Sequence, residues 1–116
     1  MPWVNYEPVN LYKGVPGTTL ADLTLRPFAQ AQVPASTKVL VNAIVVTNTT
    51  AAEATITLAH VDGTNVHHIL SAAKVPANGV LKLDGLDLVM EPGDKLQASQ
   101  GTANALHLSV SGSVVR

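Results

Sequence analysis

Apolar residues alternate with polar ones over short stretches of this chain, and Pro, Gly, Asn and Asp separate the stretches. A period of two predicts β-strands, and no segment sustains the spacing of an amphipathic helix. The clearest strand is Lys38 to Asn48, with both faces apolar through its middle. A strand covered on both faces belongs at the centre of a fold. Around 53–61 a second strand places Ala54, Ile56 and Leu58 on one face and Thr55 and Thr57 on the other. Asp62-Gly63-Thr64-Asn65 predicts a turn, because Gly accepts positive φ and Asp bonds its own backbone. A strand from Val66 to about Leu70 follows, then a turn at Pro76-Ala77-Asn78-Gly79. Val80 to Leu83 and Leu86 to Met90 read as one interrupted strand or two short ones around Asp84-Gly85. Glu91-Pro92-Gly93-Asp94 has the Pro-Gly centre of a type II turn. Lys95 to Ser99 and Ala105 to Val115 close the fold. In the last strand Leu106, Leu108, Val110, Gly112 and Val114 point inward, while His107, Ser109, Ser111 and Ser113 point outward.

The beginning of the chain is different. Residues 1–18 hold three prolines, two glycines and three of the four aromatics. They predict an extended N-terminal arm, which must lie on its own sheet or on a neighbour to be ordered. A short strand near 19–25 follows, with Leu20 and either Leu23 or Leu25 inward, and Pro27 ends it or makes it an edge. The fold class expected is therefore all-β: an antiparallel β-sandwich of seven or eight strands with Greek-key or jelly-roll-like connections. The arm would be 1–18 and the sandwich 19–116.

Composition narrows the function. With 116 residues, 47% of them hydrophobic, the chain supports one core. Charged residues make up 13%, against about 25% in an ordinary soluble domain. A surface so poor in charge is easily desolvated and suits lasting contact with other proteins. The net charge is −1 and the seven basic residues are scattered, which argues against a nucleic-acid partner. Without cysteine there is no disulfide, thiolate zinc site or Cys nucleophile. The first ten residues lack the basic and apolar regions of a signal peptide. The longest apolar stretch, Val39 to Val46, is too short to span a bilayer. A soluble protein made in the cytoplasm, with no membrane partner, is expected.

Candidate chemistry is thin. His67 and His68 are adjacent in a strand and point to opposite faces, so one ion cannot easily take both. His60 and His67 flank the 62–65 turn and could pair across it, with Asp62 nearby. Glu7, Asp22, Glu53, Asp62, Asp84, Asp87, Glu91 and Asp94 fall mostly at turns, where Asp is favoured for backbone reasons. No GxSxG elbow, P-loop or GxGxxG pattern occurs. The expectation is a non-enzyme with no catalytic, metal or cofactor-binding residues and no cofactor. Asn48-Thr49-Thr50 matches a glycosylation sequon but reads better as turn chemistry. Trp3, Tyr6 and Tyr12 could stack on a sugar. Their large apolar area better suits anchoring the arm in a partner's groove, and they are the expected partner-binding residues.

Several phrases, in order and spacing, resemble small structural proteins of tailed-bacteriophage virions. They are Leu11-Tyr12-Lys13-Gly14-Val15-Pro16-Gly17-Thr18; the Val33-Pro34-Ala35 turn before VLVNAIVVTNTT at 39–50; Pro76-Ala77-Asn78-Gly79; Met90-Glu91-Pro92-Gly93-Asp94-Lys95-Leu96; and a final Val-Ser-Gly strand. The likeness covers about residues 11 to 115. It implies a β-sandwich virion component without catalytic residues, often trimeric, on the capsid lattice or on the tail or fibre. No long receptor-binding region accompanies it, which favours a capsid decoration or cement protein. Its partners would be its own copies in a homotrimer and the major capsid protein. The alternatives are tail proteins as partners of a tail- or fibre-associated, glycan-binding module, or a small metal-dependent enzyme with a cupin-like fold.

Overall fold

The computed structural model describes residues 6–86 and 88–115. Its central element, Lys38–Asn48 (β3), has the bounds its pattern predicts. Val39, Val41, Ile44 and Val46 are buried on one side. The other side, Leu40, Ala43, Val45 and Thr47, is only half-buried, so β3 is central within its sheet and covered on one face.

Nine strands form among the described residues: β1 (Tyr6–Gly14), β2 (Ala21–Asp22), β3, β4 (Ala54–Asp62), β5 (Asn65–Val75), β6 (Val80–Leu83), β7 (Leu88–Met90), β8 (Lys95–Gln100) and β9 (Leu106–Val115). Sheet I has the order β1-β9-β3-β6, with β7 also pairing with β3; sheet II has the order β2-β8-β4-β5. All pairings are antiparallel. The β4–β5 hairpin stays in sheet II and β6–β7 stay in sheet I; every other connection crosses between sheets. With β6 and β7 counted as one interrupted strand, this is the double Greek key of a jelly roll.

The turns form where their residues demand. Gly63 alone has positive φ in the two-residue β4–β5 loop, and Gly at the first central position suits a II′ hairpin. At Glu91–Asp94 the Asp94 amide donates to the Glu91 carbonyl at 3.0 Å and Gly93 has φ +91°, which is the expected type II geometry. Asn78 takes the same left-handed place at 76–79, where the Gly79 amide donates to the Pro76 carbonyl at 2.9 Å. Gly85 breaks β6 from β7, and the next amide, of Leu86, returns to β3 by donating to the Asn42 carbonyl at 3.1 Å.

Two features complete or alter the sequence reading. Residues 6–14 take the first of the two supports expected for the extended arm, the chain's own sheet. They are its edge strand, running along β9 from Tyr6↔Val115 to Gly14↔Leu108. A bulge between Asn10 and Tyr12 turns Leu11 inward to full burial, and its carbonyl accepts from the Arg26 amide at 2.8 Å. The expected strand at 19–25 shrinks to Ala21–Asp22. Beyond it Leu23, Leu25 and Val33 enter the core from irregular chain, while Leu20 is only half-buried. Periodicity finds inward residues in strands but not those delivered by loops.

Candidate interaction surface

The closest contact of a histidine with an acid among the described residues is between His60 and Asp94. His60 lies on the inward side of β4, directly opposite His67 of β5, as the hairpin register requires. Its Nε2 lies 2.8 Å from Asp94 Oδ2, which also accepts from the Glu91 amide at 2.9 Å. Both side chains of this pair are largely buried. Asp94 therefore closes the 91–94 turn and fixes His60. His67 and His68 are exposed, and His107 lies apart on β9. Among the described residues no group of three or more His, Cys, Asp or Glu could hold a metal ion. The His60–Asp94 contact spans 34 positions, and nothing in the sequence marks it.

The remaining acids serve local structure or stand in solvent. Asp22 Oδ1 accepts from Gln97 Nε2 at 2.8 Å and Oδ2 accepts from Lys95 Nζ at 3.2 Å. The hydrogen bond from Gln97, with Lys95 beside it, holds the Asp22 carboxyl below its ordinary range. Glu91 meets Lys38 at 3.6 Å on the surface. Glu53, Asp62 and Asp84 are exposed, and Asp87 lies outside the described residues.

Two buried side-chain amides tie the sandwich together: Asn48, which the sequence reading assigned to turn chemistry, and Gln100, which it missed. Asn48 Nδ2 donates to the Ala52 and Val75 carbonyls at 2.8 and 3.1 Å, and its Oδ1 accepts from the Thr50 amide at 2.9 Å. The side chain is 1% exposed, so the nitrogen of the sequon is committed to the turn and inaccessible to a glycan. Gln100 Oε1 accepts from the amides of Ala105 and Leu106 at 3.1 and 2.8 Å, and its Nε2 donates to the Pro16 carbonyl. Only the adjacency of a polar residue to a strand end hinted at the role of Gln100.

Of the three arm aromatics, only Tyr12 has its side chain among the described residues. Tyr12 pairs with Val110 on the inward side of β1 and packs, half-buried, against the core; burial pushes its hydroxyl above the ordinary tyrosine value. Trp3 lies outside the described residues, as does the side chain of Tyr6.

The broad feature that remains is the outer face of sheet I. Ser109, Ser111 and Ser113 run up its centre on β9, as the alternation predicts. On β3 they stand beside Val45, Ala43 and Leu40. Val80 and Val89 extend the face on β6 and β7, at 53% and 47% exposure. From Leu40 to Thr47 and from Ser109 to Ser113 no residue carries a charge; Lys13, Lys38 and Lys82 stand at the margins. Lys13, Val45, Thr47, His107 and Ser109 surround a shallow cleft of about 240 Å³. Small hydroxyls and aliphatic side chains on a regular sheet give a smooth surface that loses little hydration energy when covered.

Comparison with protein-family models finds no match to this sequence, and comparison with curated proteins finds none either.

Proposed function

We propose that this chain is a structural protein of a bacteriophage virion, a capsid decoration or cement protein that binds the major-capsid lattice as a homotrimer. The observation that carries the reading is the outer face of sheet I, a β-sheet surface with an uncharged centre of Ser, Ala, Val, Leu and Thr. Such a face is suited to burial against protein and offers little to polarise or transform a small molecule. The 13% charge content and the ordered run of phrases that resembles small virion proteins support the same reading. So does the jelly-roll strand order, an architecture that recurs in viral capsid domains.

The mechanism would be mechanical. One copy offers a modest contact, and three copies joined around an axis bind a lattice with a gain from effective concentration. An interface of standard size, about 800 Å² per partner, is enough for each copy. Mass spectrometry of purified particles from the phage encoding the chain tests this. The expected result is a copy number comparable to that of the major capsid protein. A handful of copies per particle would move the protein to the tail or fibre, and absence from particles would end the virion reading.

A further inference from the structure

Two adjacent rows cross the outer face of sheet I at the cleft. One runs Lys13, Ser109, Val45, Lys82 over β1, β9, β3 and β6. The next holds His107, Thr47 and Val80. Neither row contains a carboxylate. The lysine ion pairs among the described residues use Lys38 and Lys95, so neither lysine of the first row is neutralised by an acid. The two lysines stand three strand spacings apart, about 14 Å. They flank a floor of one valine and two hydroxyls, with an imidazole beside it.

We infer that this cleft receives a carboxylate side chain, Asp or Glu, from a partner protein. The inference rests on the reading of this face as a protein-binding surface and names the chemistry of the partner. Size selects the ligand: 240 Å³ is below the roughly 300–1,000 Å³ of small-molecule pockets and fits a single inserted side chain. Charge selects its sign, because unpaired cations at the margin of an uncharged face complement an acid. Lys13 Nζ and the hydroxyls of Thr47 and Ser109 supply donors for both carboxylate oxygens, and Val45 packs under the side-chain methylenes.

The test is an NMR titration of the ¹⁵N-labelled full chain with the blocked peptide acetyl-Ala-Val-Glu-Val-Ala-amide. Saturable shifts are expected at the amides of Lys13, Val45, Thr47, His107 and Ser109. The same peptide with Gln in place of Glu should bind about ten-fold more weakly, as the loss of a charged partner requires. The double variant Lys13→Met, His107→Gln alters two exposed side chains, so the rest of its spectrum should persist. Its affinity for the Glu peptide should fall to that of the Gln peptide. Three results would overturn the inference: no saturable shift in this region, equal binding of Glu and Gln peptides, or free glutarate binding as tightly as the peptide. None depends on whether particles contain the chain, so the chemistry of the cleft and the virion reading fail separately.

Discussion

Gly112 illustrates how closely single residues are constrained. β3 bulges at Asn42 against β9, and a Cβ on Gly112 would sit 1.9 Å from the Leu40 carbonyl oxygen. Backbone cannot yield as a flexible side chain does, so Gly112→Ala should cost at least about 3 kcal/mol in urea unfolding. Gly17→Ala, with nothing within 4 Å of its added Cβ, is the matched control and should be near neutral. Asn48→Ala strands the Val75 carbonyl inside the protein and removes the bond to the Ala52 carbonyl, and should cost about 1–3 kcal/mol by the same measurement. Asp22 makes a smaller, pH-dependent contribution. Its folded pKa is depressed, so its stabilisation is present above the unfolded value of 3.8 and is lost as pH falls through the lower folded value. With the side chain 41% exposed, solvent screening limits the effect to less than about 1 kcal/mol. Asp22→Asn should therefore be slightly less stable than the parent at neutral pH and converge with it in acid, as followed by thermal melts from pH 7 to pH 2.

Among the elements, β1 settles the most that the sequence left open. The prolines and glycines of residues 1–18 predicted an extended arm without saying what it lies on; Tyr6–Gly14 lies on the chain's own sheet. The deciding event is the bulge that turns Leu11 inward, and a bulge has no signature in alternation alone. Leu11→Ala should cost about 2–5 kcal/mol. Deleting residues 1–14 should destabilise the sandwich at least as much, because it removes that side chain and uncovers the edge of β9. Unchanged urea midpoints for both variants would show that β1 contributes nothing to the fold. Elsewhere the elements were readable where local chemistry sufficed. β3 has its expected ends, and the turns at 62–65, 76–79 and 91–94 form as their Gly, Asn and Pro residues dictate. β5 outran its expected end at Leu70, continuing to Val75 past a left-handed Ala72 whose amide donates to Thr57 Oγ1 at 3.1 Å. Tertiary pairing with β4 holds that irregular stretch in the sheet, and periodicity stops at the irregularity.

For the whole molecule, the sandwich and its style of connection were legible because turns and alternation recur along the chain. The strand order was not, since no local pattern says which of several apolar strands will be neighbours. The His60–Asp94 pair was hidden for the same reason. The outer face of sheet I was half visible: alternation on β9 foretold its serines, but their meeting with Leu40, Ala43 and Val45 needed the order β9-β3. That face is the basis of the functional account. Cryo-electron microscopy of intact particles of the phage proposed to encode the chain is its most direct test. The account predicts trimeric density on the capsid lattice in which Ser109, Ser111, Val45 and Val89 are covered by a neighbouring protein chain. Density in which this face looks out to solvent while another surface makes every contact would contradict it.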